Sequence, residues 1–341
     1  MGAPTDWFER ITGFREIHYE ATRSKLRVDG ARLHSLVNGH SYGIGRLELV
    51  SLQTLRDRAQ SGGASPGRLK VEVVRGDVRK LHQSPENAGA LFQVASQFNM
   101  LEMTGPEVTP EQGVTRYGGD PTQGPACATA AGAATIYRNY FAPVGDGYGQ
   151  TAERQLDGLA QMGEALAIAT GLPVAALWDM QNGYALCSKS GLRAISKHVN
   201  TLSPEAIDAL AGSLRVGLHQ DVEVTDAEGP NRPIVSQLFC SALPVRYSNI
   251  PASEWKDFAS LVLQAAYEAA LWAAVLNARR GASNVVLLTR LGGGVFGNDD
   301  EWIDAAMRRA FRVVADFGLN VKIVSYGGPS ERTLETARAV L

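Results

Sequence analysis

The chain has 341 residues, 45% of them apolar and 20% charged, with a formal net charge of −2; it can bury a substantial core, either as two average domains or as one large α/β unit. No basic excess argues for nucleic acid, and no run of 18 or more apolar residues argues for a membrane span, so neither is expected as a partner. Met1 to Tyr19 mixes charge and aromatics without an apolar h-region, so no secretory signal is expected, and Asp6 stands where a Met1-Gly2 myristoylation signal wants Ser or Thr. Cys127, Cys187 and Cys240 lie in apolar stretches without metal-type spacing. They are expected as reduced, buried residues of a cytoplasmic protein with no structural metal and no cofactor.

In chain order, Leu49, Leu52 and Leu55 at helical spacing predict a helix over Leu47 to Arg58, and Leu69 to Val74 is a β-branched strand stopped by Gly76-Asp77. A second strand is expected within Ala88 to Ala95. The long segment Gln97 to Gln123 has many turn formers and an apolar content that favours an ordered, functional loop. Pro125 to Tyr140 reads as a helix with proline in its first turn, and Gly145 to Gly149 as a break before a helix over Thr151 to Thr170. Gln181-Asn182-Gly183 marks a hairpin within Leu177 to Leu186. Helices are expected over Ser190 to Val199 and Ser203 to Leu214, short strands over Val222 to Thr225 and Ile234 to Ser241, and a long alanine-rich helix over Ser253 to Ala278.

The last unit is the strand Val285 to Leu291, the glycine loop Gly292 to Gly297, a helix from about Glu301, and the strand Val321 to Tyr326. Strand, glycine loop, helix is how a fold presents bare backbone N–H groups to a phosphate. Glycine admits positive φ and has no Cβ to hold an anion away. Four glycines in six residues are costly in chain entropy for a mere turn, so a ligand loop is expected. Strands separated by helices indicate an α/β fold with a mixed sheet, whose ligands sit at the strands' C-terminal edge. Gly76-Asp77, Asn99, the glycine loop and Tyr326-Gly327 are expected to meet there.

Three segments, Val71-Glu72-Val73-Val74-Arg75-Gly76-Asp77-Val78, Leu91-Phe92-Gln93-Val94-Ala95-Ser96-Gln97-Phe98-Asn99 and Gly294-Val295-Phe296-Gly297, resemble in order the ligand-binding segments of macrodomains. Gln97-Phe98-Asn99-Met100-Leu101-Glu102 with Thr122-Gln123-Gly124-Pro125, and Leu291 to Gly297 with Ser325-Tyr326-Gly327, further resemble the MavL-type macrodomain-like ADP-ribosyl hydrolases, relatives of poly(ADP-ribose) glycohydrolase. The resemblance implies a macrodomain-like mixed sheet layered between helices, one domain over residues 1–341, with an N-terminal extension over 1–65 and a mainly helical insertion over 145–224. It implies that Asp77 accepts from the adenine amino group, that the Val78 backbone reads the ring edge, and that Asn99 touches the distal ribose. Gln123 is placed beside them. The amides of Gly292, Gly293, Gly294, Val295, Phe296 and Gly297 would hold the diphosphate, helped by the following helix, with Phe296 and Tyr326 facing ribose and adenine.

Cleavage at the distal ribose needs a carboxylate near an oxocarbenium-like carbon. Asp120 is the first candidate, because it precedes Thr122-Gln123-Gly124-Pro125; Glu102, three residues after Asn99, is the second. Glu107, Glu111, Asp146 and Asp157 are spare candidates, and Gln150 could point into the site. The glycine triplet and the Gln-Glu-Glu run of poly(ADP-ribose) glycohydrolases are absent, Met100-Leu101-Glu102 standing where the triplet would be. Removal of mono-ADP-ribose is therefore expected rather than chain cleavage, and the MavL-type likeness implies an arginine-linked target, on ubiquitin or another protein. Two alternatives stay open. One is a non-catalytic ADP-ribose reader; the other takes Gly292-x-Gly294-x-x-Gly297 as a dinucleotide fingerprint of an NAD-dependent oxidoreductase, against which stands the missing acid at Ser325-Tyr326.

Overall fold

A computed structural model describes residues 6–62 and 66–339. The myristoylation signal considered at Met1-Gly2 lies outside the described residues. The chain opens with helices α1 (Trp7–Thr12) and α2 (Tyr19–Arg23) and a small antiparallel sheet, β1 (Leu26–Asp29), β2 (Arg32–Ser35) and β3 (Ser41–Gly43). There follow β4 (Arg46–Ser51), α3 (Leu52–Ser61), β5 (Lys70–Arg75), α4 (Val78–Gln83), β6 (Leu91–Ala95), α5 (Gln123–Ala130) and α6 (Gly132–Tyr140). The middle of the chain holds the two-residue strands β7 (Pro143–Val144) and β8 (Gly147–Tyr148), α7 (Ala160–Thr170), α8 (Val174–Leu177), the hairpin β9 (Trp178–Gln181) and β10 (Tyr184–Cys187), α9 (Lys189–Val199) and α10 (Pro204–Gly212). The last part comprises β11 (Arg215–Glu223), β12 (Ile234–Cys240), α11 (Ala252–Arg279), β13 (Val285–Leu288), α12 (Asp300–Val313), β14 (Asn320–Ser325) and α13 (Glu331–Arg338).

Seven strands form one mixed sheet in the order β4-β11-β12-β6-β13-β14-β5. The five strands from β12 to β5 run parallel, while β11 is antiparallel to both of its neighbours. Parallel strands buried on both faces need helices on each side. On one face α11, which carries Trp255, Phe258, Leu263, Tyr267 and Leu271 inward, packs with α3, α9 and α12 against Leu91, Leu238 and Ile323. On the other, Phe92, Val94, Phe239 and Leu287 meet Val78 of α4, Cys127 of α5 and Ala134 of α6. Because the five strands are parallel, their C-terminal ends share one edge, so the turns after β5, β6, β12, β13 and β14 open together.

The expected α/β fold with a mixed sheet between helices is what the chain forms, and most elements lie where the sequence puts them. The departures have local causes. The stretch Leu47 to Ser51 is a strand rather than helix, because it pairs with β11; the helix starts at Leu52, capped by Ser51, whose side chain accepts from the Thr54 amide. The helix expected from Thr151 starts only at Ala160. Gly158 there donates to Phe98 O and Arg215 donates to Gly158 O, contacts that a helix would forbid. Pro125 to Tyr140 breaks at Ala131, where Gly132 seats against the Trp7 and Ile11 side chains and donates to Thr225 Oγ1. The segment boundaries shift as well. Residues 215–223 belong to the central sheet, so the insertion of 145–224 ends before β11, and residues 46–51 of the supposed N-terminal extension supply the sheet's edge strand. The three cysteines are free and buried.

Candidate functional site

Two adjoining cavities, of about 420 and 350 Å³, run along the C-terminal edge of the parallel strands. They share Asp120, Pro121, Gln123, Thr289 and Tyr326 in their walls, so together they make one trough large enough for a dinucleotide-sized ligand. Asp77 and Val78 line the smaller cavity; Glu102, Tyr184, Tyr247, Gly292, Gly294, Val295 and Phe296 line the larger.

At the small end, Asp77 closes β5 and caps α4, accepting from the Arg79 amide at 2.9 Å through one oxygen. The cap uses one of two carboxylate oxygens and leaves the other for a donor in the cavity. The Val78 amide, at the first helical position, makes no hydrogen bond among the described residues. In the larger cavity, the glycine loop divides its labour. Gly292 and Gly297 hold positive φ, 73° and 70°, and a Cβ on Gly292 would meet Ala242 at 2.5 Å. Gly293 donates to Arg290 O, and Gly297 to Gly294 O. By contrast a Cβ on Gly294 would meet nothing within 4 Å, and the consecutive amides of Gly294, Val295 and Phe296 donate to nothing among the described residues. Three such donors beside an open cavity suit an anion.

The helix after the loop does not help as expected. Asp299 caps α12 by accepting from the Glu301 amide, and Asp300 and Glu301 fill its first turn, so that end is already satisfied by carboxylates. The free positive end belongs to α5. Thr122 makes no side-chain cap, and the Gln123 and Gly124 amides at the cavity wall have no partner among the described residues. The Gln123 side chain itself is occupied elsewhere: it accepts from the Ala95 amide and donates to Gln93 O, stitching α5 to β6.

Asn99 does not reach the trough. It is fully buried, accepting from the Leu101 amide and donating to Gln155 Oε1 at 2.8 Å. Its task is a turn: Met100 is held at φ 63°, uncommon for a large side chain, and the Asn99 amide group and Gln97 O secure that conformation. The turn leads to Glu102, which belongs to the wall of the larger cavity and keeps its side chain fully buried against Arg138. Glu102 is 1% exposed and 3.2 Å from Arg138 Nη2, and burial raises its carboxyl from the usual range to about 7, the arginine only partly offsetting that. A carboxyl poised near neutrality at a cavity wall can give and take a proton. Asp120, the first candidate, stands where the cavities join, and one of its oxygens accepts from both the amide and the hydroxyl of Thr122. Glu107 and Glu111 line neither cavity, nor do Asp146 and Asp157; Gln150 is buried and donates to Asn99 O and Arg138 O.

Phe296 forms a three-ring cluster with Tyr184 and Tyr247, centroids 5.2–5.6 Å apart, beside Glu102's cavity, and Tyr326 stands 81% exposed over both cavities. Sequence reasoning missed Tyr184, Tyr247, Gln97 and Arg138. Tyr184 directly follows the Asn182-Gly183 hairpin turn, and its hydroxyl donates to Met103 O while accepting from the Gln97 amide. That Arg138 is the one charged residue between Asp120 and Asp146 was the available signal for the last of these. Among the described residues no group of three or more metal-ligating side chains forms a metal site.

No family model matches the chain, and no curated protein sequence matches it. Among solved structures it is similar to poly(ADP-ribose) glycohydrolase from Deinococcus radiodurans in complex with ADP-ribose, at 13% identity and a TM-score of 0.42, over 86% of this chain and 92% of that one. It is similar also to poly(ADP-ribose) glycohydrolase from Thermomonospora curvata, at 15% identity and a TM-score of 0.42, over 94% of each chain, and to that enzyme bound to the inhibitor ADP-HPD, at 14% identity and a TM-score of 0.41.

Proposed function

We propose that the protein is an ADP-ribosyl hydrolase that removes mono-ADP-ribose from a modified protein. The observation that carries the reading is the set of groups lining two adjoining cavities. A carboxylate and a free amide at Asp77-Val78 in the smaller suit a purine edge, and the larger holds three free amides at Gly294 to Phe296, which suit a diphosphate, together with the buried carboxyl of Glu102, which suits work on the distal ribose. Those are the chemistries that the parts of ADP-ribose require.

In this reading Glu102 is the acid and then the base. The glycosidic bond at the distal ribose breaks with both electrons going to the departing nitrogen or oxygen, which takes the Glu102 proton. Water then attacks the oxocarbenium-like carbon and returns a proton to the Glu102 carboxylate, giving free ADP-ribose and the unmodified side chain. Asp120, at the junction of the cavities, orients the ribose hydroxyls or the water. The three rings of Tyr184, Tyr247 and Phe296 beside two carboxyl groups favour a cationic leaving group, which supports arginine as the linked residue. Ubiquitin or another protein would carry it.

The test is a panel of arginine-, serine- and glutamate-linked ADP-ribosylated proteins, read by released ADP-ribose. Release from the arginine-linked member is expected. Tight ADP-ribose binding with no release from any member would make the protein a reader.

A further inference from the structure

Glu102 is held by one residue more than by any other. Arg138, on α6, is fully buried; its Nη2 donates to Glu102 Oε1 and Oε2 at 3.2 and 3.4 Å and to Thr135 Oγ1 at 3.1 Å. Its Nε donates to Met100 O at 3.1 Å, the carbonyl of the positive-φ turn, and its guanidinium lies 3.8 Å from the centroid of the Phe239 ring. Thus a single planar group fixes both the turn that presents Glu102 and the carboxyl itself. Stability alone does not explain the pair, since burying two charges costs several kcal/mol per ion and apolar side chains would fill the same space without that cost.

We propose that Arg138 is a positioning residue for the hydrolysis, aligning the Glu102 carboxyl on the larger cavity and setting the pH range over which it exchanges its proton. The proposal rests on the functional reading above. The titratable groups facing the pair are Tyr117 from the loop before α5, Cys127 on α5 and His219 on β11. Burial raises the first two above their ordinary values and lowers His219, so all three stay neutral near pH 7 and the guanidinium is the charge that acts on Glu102. Removing it leaves a desolvated carboxyl without its counter-charge, which moves proton loss to higher pH. A lysine in its place keeps the charge but cannot hold Met100 O and both carboxyl oxygens with one planar fork.

The experiment compares wild type, Arg138→Met and Arg138→Lys by three measurements: the pH profile of ADP-ribose release, the ADP-ribose Kd, and the NMR titration of the ¹³C-labelled Glu102 carboxyl, assigned with Glu102→Gln. In Arg138→Met the carboxyl midpoint and the corresponding limb of the pH profile should both move alkaline by about one unit or more, while kcat falls roughly tenfold or more and Kd stays near the wild-type value. Arg138→Lys should restore the midpoint but only part of kcat. An unmoved midpoint in Arg138→Met, or a loss that appears in Kd alone, overturns the proposal. Absence of release by the wild-type protein overturns the functional reading instead, and the carboxyl titration still decides the role of Arg138. Should Arg138→Met not fold, the wild-type Arg138 Nε–H resonance decides: it should shift with the Glu102 midpoint, and a flat response overturns the proposal.

Discussion

At the scale of single residues, the glycine loop separates fold from function. Gly292 and Gly297 are needed by the backbone, and Gly294 by the open space in front of it. Gly292→Ala should lower stability by about 1–3 kcal/mol through strain at positive φ and collision with Ala242. Gly294→Phe should leave the melting temperature nearly unchanged and abolish ADP-ribose binding. Thermal unfolding and a binding titration on the same two proteins check this; equal affinity in Gly294→Phe and wild type would remove the loop from the site. Asp77→Ala should weaken ADP-ribose by about 1–3 kcal/mol, the scale of a lost charged hydrogen bond, and leave ribose phosphate binding almost unchanged. That Asp77, the loop, Asp120 and Glu102 would gather at one edge of the sheet was legible in the sequence because each lies in a local pattern, a residue type in the turn after a strand, a loop before a helix or a run of glycines. Asn99 misled because an asparagine after a strand serves a turn as readily as a ligand, and here it secures Met100. Arg138 escaped because its meaning lies in a partner 36 residues away.

Among the elements, the β9–β10 hairpin explains what the middle of the chain is for. Gly183 O accepts from the Phe98 amide, and a Cβ on Gly183 would meet both Asn99 and Gln97 at 2.7 Å. Asn182 takes a hydrogen bond from Gln155 and donates to Pro106 O, while the Tyr184 hydroxyl holds Met103 O. The hairpin thus clamps both sides of the Glu102 loop. Tyr184→Phe keeps the ring and loses the two hydrogen bonds, at about 1 kcal/mol each; kcat should fall several-fold with ADP-ribose affinity unchanged. Steady-state kinetics with a parallel binding titration would show it, and a loss confined to affinity would mean that the hydroxyl contacts the ligand instead. The hairpin turn was readable from Asn-Gly, whereas its clamp is a tertiary contact. β11 was cut short in the sequence reading because Val216 to His219 are buried in succession, with no alternation of buried and exposed positions to mark a strand.

For the whole molecule, burial of ionisable groups gives stability a definite pH course. Burial lowers His82 from 6.5 to about 4 and His219 to about 3, so the folded chain resists protons that the unfolded chain takes up below pH 6.5. Their contribution is complete above pH 6.5 and is lost as pH falls toward 4 and 3. Glu102, raised from 4.5 to about 7, acts in the opposite sense: its contribution is complete below pH 4.5 and is lost as pH rises through 7. Between pH 6.5 and 4.5 the two histidines outweigh the one carboxyl, and stability should fall by about 1.4 kcal/mol per pH unit, more steeply below 4.5. Denaturant unfolding from pH 7.5 to 4 measures the slope. His219→Leu, which removes a ring whose two nitrogens have no partner among the described residues, should flatten it; an unchanged slope would mean that His219 is protonated in the folded state.

The same parallel sheet that buries these groups brings turns from distant parts of the chain to one edge, where the proposed hydrolysis would take place. The most direct test of that hydrolysis is single-turnover release of ADP-ribose from an arginine-linked ADP-ribosylated protein by wild type and Glu102→Gln. Wild type should release it, and Glu102→Gln should bind free ADP-ribose equally well while releasing it slower by about 10²–10⁴-fold. Equal release by the two proteins would contradict the account.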